Sequence, residues 1–151
     1  MLSAVSKSGA DPIWPNLSSS VTVLTEFAAG HVFEPLTFTL DPEAARAYTA
    51  ATGDSLSLYE SQSIAPPLAV AALALGVLLE SVSLPPGSLH SNEAVRFFAR
   101  VPNEATLECH ARLAQRSVRG GWVVSVLESE IQLDGATVQT SRASVLSPAP
   151  S

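Results

Sequence analysis

The segment spanning residues 66–81 is apolar on every side when it is drawn as an α-helix. Leucines, valines and alanines cover all angles around its axis, and a helix without a polar face must be surrounded by protein. The apolar stretch is about 16 residues long, which is shorter than the roughly 20 residues of a membrane span. Pro66 or Pro67 suits the first turn, Ser63 is a possible cap, and Pro85 follows the end. The sequence therefore predicts a long buried helix around which the remaining elements must be arranged.

Five other segments alternate apolar and polar residues, which is the pattern of strands with one buried face. They comprise residues 32–40, 92–101, 105–118, 122–133 and 136–146. Gly120-Gly121 and Asp134-Gly135 separate the last three segments, and such pairs favour tight hairpin turns. The carboxyl-terminal part of the chain is therefore predicted to form an antiparallel meander.

A short helix is predicted between the first strand and the apolar helix. Asp41 is suited to cap it, Pro42 to occupy its first position, and Glu43 to interact favourably with its dipole. Gly53 supplies the left-handed residue that commonly ends a helix. Asp54 then lies on the loop that leaves this helix.

The length and composition indicate one domain over residues 1–151, with a partly loose amino-terminal arm at 1–30 and a tail at 147–151. Hydrophobic residues make up 46% of the chain, which is enough for a sizeable core. The net charge of −6 and only 8 Lys plus Arg argue against a nucleic-acid surface. The amino-terminal residues lack the apolar run of a signal peptide, and the lone Cys109 gives no sign of an oxidising compartment. The expected location is therefore the cytoplasm.

Residue types that bind metals do not form a recognisable cluster. His31, His90 and His110 are dispersed, and Cys109 and His110 point to opposite faces of a predicted strand, so no metal site is expected. Cys109 shares its face with leucines and is expected in the core. Arginines on or near the predicted strands are mostly solvated positions, and one or two of them are candidates for contacts with phosphate groups. The arginines concerned are Arg96, Arg100, Arg112, Arg116 and Arg119.

Four segments, taken in order, resemble a known family. They are YTAATGDSLSLY at 48–59, IAPP at 64–67, LHSNEAVRFF at 89–98 and LDGATV at 133–138. Together they resemble the MaoC-like dehydratases and (R)-specific enoyl-CoA hydratases, and in particular the non-catalytic type of amino-terminal unit. The resemblance implies an α+β hotdog fold, in which a curled antiparallel sheet wraps around the long apolar helix. The periodicity alone leaves a different α+β packing open.

The loop after the short helix departs from the family's active motif. Active members resemble Gly-Asp-x-Asn-Pro-x-His there, and their Asp and His act on a water and on the carbon next to the thioester carbonyl. Here Gly53 and Asp54 match, whereas Leu56, Ser57 and Tyr59 occupy the Asn, Pro and His positions. An unperturbed tyrosine titrates at about pH 10, so Tyr59 is a poor base at neutral pH. The resemblance thus implies a degenerate unit that shapes an acyl tunnel.

The resemblance also assigns candidate site residues. Asp54, Tyr59 and His90 are candidates for catalysis, with turn formation, packing and an exposed loop position as their respective structural alternatives. Candidates for substrate binding are Leu56, Pro67, Leu68, Ala69 and Asn92. In the family the oxyanion donor lies at the amino end of the central helix, where unpaired N–H groups are found. Because prolines without N–H groups begin that helix here, Leu68 or Ala69 must donate instead.

Three functions follow from this resemblance. The first is a hydro-lyase unit of fatty acid metabolism that acts on 2-enoyl and 3-hydroxyacyl thioesters and needs a catalytic partner. The second is an active homodimeric enoyl-CoA hydratase that uses Asp54, and the third is a non-enzymatic acyl-thioester-binding protein. No cofactor is expected beyond the coenzyme A or phosphopantetheine of the substrate. An incomplete sheet edge predicts a homodimer or a heterodimer with another hotdog subunit.

Overall fold

A five-stranded antiparallel sheet and a long apolar helix dominate the computed structural model, which describes residues 22–150. The strands are β1 (Leu36–Thr39), β2 (Leu89–Phe97), β3 (Thr106–Arg119), β4 (Trp122–Leu133) and β5 (Ala136–Pro148). The helices are α1 (Pro42–Thr52), α2 (Leu58–Ser61) and α3 (Pro67–Glu80), preceded by a 3₁₀ turn at Leu24–Glu26. The α+β class predicted from the sequence is therefore confirmed.

The strand order in the sheet is β1-β3-β4-β5-β2. The predicted meander is confirmed for β3, β4 and β5, because both hairpin turns take positive φ at their two central residues. These φ values are 54° and 79° at Gly120 and Gly121, and 51° and 78° at Asp134 and Gly135. β2 pairs with β5 at the far side of the sheet rather than with β3, its neighbour in sequence. β1 and β2 are consequently the two edge strands.

The core lies between α3 and one face of the sheet. Val70, Ala74 and Leu78 of α3 are buried in a single cluster with side chains of β3, β4 and β5. Cys109 belongs to this cluster, as predicted, and burial raises the pKa of its thiol to about 11. The opposite side of α3 is open where the helix begins, because Leu68 there is 55% exposed. Within residues 22–150, the chain therefore surrounds its apolar helix on one side only.

The helix ends agree with the prediction at α1 and agree in part at α3, which begins at Pro67 as predicted. At α1, the Glu43 N–H donates to Asp41 Oδ1 at 2.9 Å, and Gly53 ends the helix with φ 71°. At α3 the predicted cap is wrong: Pro66 precedes the first turn and no side chain caps it. Ser63 instead takes φ 50° in the turn before the helix, a left-handed backbone that sets the direction of entry.

The first predicted strand is shorter than expected. β1 begins at Leu36 because Pro35 offers no N–H to the ladder. Val32 forms an isolated bridge with Arg112. The second strand begins and ends earlier than the predicted 92–101, since it starts at Leu89 and ends at Phe97. The one-turn helix α2 carries no periodic signal and was not predicted.

The two ends of the described chain pack against the fold. Leu24 is fully buried, and its N–H donates to the Ser83 carbonyl at 2.8 Å. Most of the predicted arm, residues 1–21, lies outside the described residues. β5 continues to Pro148 with Ser147 buried, two residues into the predicted tail, because Trp122 and Val123 supply pairing partners there. No helix in residues 22–150 is long and apolar enough to cross a membrane.

Candidate functional site

Asp54 is held at the exit of α1 by local hydrogen bonds. Its N–H donates to the Thr49 carbonyl at 3.0 Å, immediately after the left-handed turn at Gly53. Its Oδ1 accepts a hydrogen bond from the Leu56 N–H at 3.2 Å, which is the turn-forming contact expected of an aspartate. Its Oδ2 accepts a hydrogen bond from the Tyr59 hydroxyl at 3.0 Å. Both carboxylate oxygens are therefore engaged within the chain.

Tyr59 lies on α2, which turns its side chain back toward Asp54. The Tyr59 carbonyl accepts from the Ile64 N–H at 3.0 Å, which fixes the exit of this short helix. Burial raises the pKa of the Tyr59 hydroxyl, and the hydrogen bond to Asp54 and the negative charge of Asp54 raise it further. The hydroxyl thus stays protonated at neutral pH and acts as a donor to the carboxylate. It is not a base under these conditions.

A cavity of about 560 Å³ contains both residues. Its walls come from α1, the loop of residues 54–57, α2, the approach to α3 and the turn between β2 and β3. Leu56, Ile64 and Pro66 give it apolar surface, as small-molecule sites commonly have. The structure therefore brings together three of the candidate site residues predicted from the sequence, which are Asp54, Leu56 and Tyr59.

Several lining residues were not predicted from the sequence. Arg46 and Thr49 project from α1 into the wall, and their spacing of three residues on a helix is a signal that could have placed them beside Asp54. Asn103 lines the cavity from the turn before β3. Its Oδ1 is buried and has no hydrogen-bond partner within residues 22–150. No sequence motif includes Asn103, because its place in the cavity depends on the contact between the turn before β3 and the segment before α3.

Few backbone N–H groups at the amino end of α3 are free to donate a hydrogen bond to an oxyanion. Pro66 and Pro67 have no N–H, and the Ala69 N–H already donates to the Pro66 carbonyl at 3.0 Å. Leu68 is left as the residue in the first turn whose N–H donates to no backbone acceptor in the described part of the chain. Pro66 lines the cavity, whereas Pro67, Leu68 and Ala69 do not. Leu68 as the donor remains a prediction.

His90 and Asn92 lie on β2 and do not line this cavity. His90 Nε2 is 3.9 Å from Glu93 Oε2, and the ladder to β5 is irregular between His90 and Asn92. Their predicted roles in catalysis and binding are not supported by proximity to Asp54 within one chain. Among residues 22–150, no three His, Cys, Asp or Glu side chains are grouped as metal ligands.

A larger cavity of about 710 Å³ lies on the outer face of the sheet. Its charges are largely paired with one another: Glu128 accepts from Arg112 Nη2 at 2.6 Å and also from Arg142. Arg116, another candidate for phosphate contacts, donates from Nε to the Thr25 carbonyl at 3.0 Å. This larger cavity is therefore a solvent-exposed surface on which ion pairs link neighbouring strands. The smaller cavity with Asp54 is the better candidate site.

The fold is shared with solved structures of hydratases and dehydratases. A MaoC-like dehydratase from Rhodospirillum rubrum has a TM-score of 0.69 at 17% identity, covering 85% of this chain and 98% of that one. The (R)-hydratase PhaJ1 from Pseudomonas aeruginosa has a TM-score of 0.64 at 17% identity, covering 83% of this chain and 84% of that one. The (3R)-hydroxyacyl-ACP dehydratase complex HadBC from Mycobacterium tuberculosis has a TM-score of 0.67 at 18% identity, covering 82% of this chain and 99% of that one.

No protein-family model and no curated protein sequence matches the chain. At identities below 20%, the structural similarity establishes the fold. The chain has the hotdog fold of MaoC-like dehydratases and (R)-hydratases, as the four sequence segments predicted.

Proposed function

We propose that this chain is a degenerate hotdog subunit that binds 2-enoyl and 3-hydroxyacyl thioesters and completes a hydratase or dehydratase together with a catalytic partner. The observation that carries the proposal is the hydrogen bond from the Tyr59 hydroxyl to Asp54 Oδ2, at the motif position where active relatives have a histidine. The fold is that of solved hydratases and dehydratases, and the cavity is large enough for a small molecule. The proton-transfer chemistry is what differs.

Hydration across an α,β double bond needs one group to move a proton of water and another to serve the α-carbon. Such groups work best when their pKa lies near the operating pH. The raised pKa of the Tyr59 hydroxyl moves it away from that range, and the hydroxyl is already committed to Asp54. The Asp54–Tyr59 pair can orient a water or a substrate oxygen, but it lacks a second group that exchanges protons at neutral pH.

The cavity supports binding of an acyl thioester. Its volume of about 560 Å³ lies within the range of small-molecule sites. Leu56, Ile64 and Pro66 offer apolar contact for an acyl chain, while Arg46 and Thr49 offer polar contact. Coenzyme A or phosphopantetheine would enter as part of the substrate, and the proposal needs no other cofactor.

The partner is proposed to join at the edge strand β2, which has one sheet neighbour within residues 22–150. A second hotdog subunit that adds a strand there would extend the sheet and satisfy the free backbone groups of the edge. A partner that retains the Asp and His of the active motif would supply the missing chemistry.

The test is hydration of trans-2-butenoyl-CoA by the chain alone, by a hotdog subunit that retains the Asp and His of the active motif, and by the two coexpressed. We expect the pair to exceed the partner alone by about tenfold or more, because this chain adds substrate-binding contacts and about 1.4 kcal/mol of added binding corresponds to a factor of ten. No gain over the partner alone would contradict the proposal. Turnover by the chain alone that Asp54→Asn abolishes would instead establish an active homodimer, and binding without turnover in every arm would indicate a thioester-binding protein.

A further inference from the structure

The side chain of Asn103 is an unsatisfied acceptor at the wall of the candidate site. Asn103 lines the same cavity as Asp54 and Tyr59. Its Oδ1 is buried and accepts no hydrogen bond from residues 22–150. Buried polar atoms in folded proteins are nearly always paired, and each exception requires an explanation.

The backbone on either side of Asn103 is held firmly. The Asn103 N–H donates to the Ser63 carbonyl at 2.9 Å, and the Glu104 N–H donates to the Leu40 carbonyl at 3.0 Å. The Ala65 N–H donates to the Val101 carbonyl at 2.8 Å and ties the same turn to the segment before α3. Asn103 therefore occupies a fixed point between three parts of the chain.

Two residues around this point have strained backbone conformations. Ser63 has φ 50° and Glu104 has φ 63°, the left-handed region that side chains other than glycine rarely adopt. A strained backbone is kept only where the surrounding contacts hold it in place, and strained residues are commonest at ligand sites. The turn thus holds Asn103 in place at an energetic cost, although its Oδ1 accepts no hydrogen bond from residues 22–150.

We propose that Asn103 is a substrate-binding residue: a rotation of its side-chain amide turns the unpaired Oδ1 from its buried position into the cavity, where it accepts a hydrogen bond from the acyl thioester. The inference rests on the proposed function. Because an amide oxygen only accepts, the ligand must bring an O–H or N–H group. The proposed substrate class carries two such donors near its acyl end: the 3-hydroxyl of a hydroxyacyl group and the amide N–H of the pantetheine arm.

Calorimetric titration of the 151-residue chain with 3-hydroxybutanoyl-CoA and with butanoyl-CoA tests this inference. Asn103→Leu removes the acceptor and keeps a similar volume, and Asn103→Ala is a second variant with less bulk. We expect each variant to lose about tenfold in affinity, as is typical when one hydrogen bond is lost. Loss for the hydroxyacyl ligand alone identifies the 3-hydroxyl as the donor, and equal loss for both ligands identifies the pantetheine amide.

Thermal unfolding separates a binding role from a structural one. Asn103→Leu removes a buried atom without a partner, so we expect a melting temperature equal to or above that of the wild type. Gln115→Leu, which changes an exposed amide on β3 outside the cavity, is the matched control and is expected to leave both affinities unchanged.

Two outcomes overturn the inference in distinguishable ways. Unchanged affinities for both ligands in both variants, or a melting temperature of Asn103→Leu several degrees below the wild type, refute the role of Asn103 alone. A wild-type chain that binds neither ligand refutes the proposed function, and the role of Asn103 with it.

Discussion

At the scale of single residues, the candidate site is defined by what Asp54 already binds. One carboxylate oxygen forms the turn with the Leu56 N–H, and the other accepts from the Tyr59 hydroxyl. In the proposed function, Tyr59 stands at the motif position of a proton-transfer group, and its hydroxyl holds the carboxylate in position. This pairing makes a single substitution informative.

Tyr59→His is expected to raise the hydration rate of the isolated chain by about 10²-fold, because it returns a group that titrates near neutral pH to the side of Asp54. Steady-state turnover of trans-2-butenoyl-CoA measures the effect. Tyr59→Phe is the matched control, since it removes the same hydroxyl without adding an imidazole. Equal rates for the two variants would show that the missing imidazole is not what limits the chain.

The sequence predicted Asp54 and Tyr59 as members of one short motif, whereas the hydrogen bond between their side chains depends on the unpredicted helix α2. Asn103 could not be predicted in the same way. It reaches the cavity through backbone contacts with Ser63, about forty positions earlier in the chain, and no local pattern encodes such a meeting. The sequence predicted which residues share a short motif, but it did not predict contacts between distant segments of the chain.

At the scale of elements, the outer face of the sheet is tied together by Glu128. This β4 carboxylate accepts from Arg112 on β3 and from Arg142 on β5, so one side chain links three strands. The hydrogen bond from Arg112 is the main cause that lowers the pKa of Glu128, and the charges of Arg112 and Arg142 act in the same direction.

Because the folded chain lowers the pKa of Glu128, its ionised form stabilises the fold above the ordinary value near 4.5 and ceases to do so as the pH falls through the lower folded value. Glu128→Gln is expected to lower the unfolding free energy at pH 7 by about 1 kcal/mol or less, as for other exposed ion pairs. Thermal melts between pH 7 and pH 3 should then show a shallower acid loss than the wild type.

Glu34→Gln serves as the control for this measurement, because Glu34 is exposed and forms no ion pair within residues 22–150. If Glu128→Gln and Glu34→Gln share one pH profile, the linkage across the three strands contributes nothing to stability.

The elements differ in how well the sequence predicted them. β3, β4 and β5 were predicted closely because glycine turns separate them and each pairs with the next. The position of β2 was not predicted, because periodicity identifies a strand's buried face and not its neighbour. The open side of α3 was also missed, since an apolar sequence indicates burial without saying which chain provides it.

At the scale of the whole molecule, apolar surface remains uncovered along the edge formed by β2. Phe97 is 47% exposed and Phe98 is 60% exposed at the end of this strand. An edge strand with apolar side chains is a template for another strand. We therefore expect the chain to assemble through β2, with itself or with a second subunit.

Phe97→Glu is expected to shift the assembly toward monomers at micromolar concentration, because it places a charge where apolar contact is needed. Multi-angle light scattering after size exclusion measures the change. Val118→Glu is the matched control: Val118 is 57% exposed on β3, which pairs with β1 and β4 and not with β2. A mass that responds equally to both substitutions would mean that the contact lies elsewhere.

The strand order also has a consequence for how the chain folds during synthesis. β3, β4 and β5 form hairpins with their sequence neighbours, and such local contacts form early. β2 is synthesised before its pairing partner β5. Its backbone groups therefore remain unpaired until the hairpins have formed. The same strand is exposed on its other edge afterwards. We therefore expect the folding yield in the cell to rise when a second subunit covers β2.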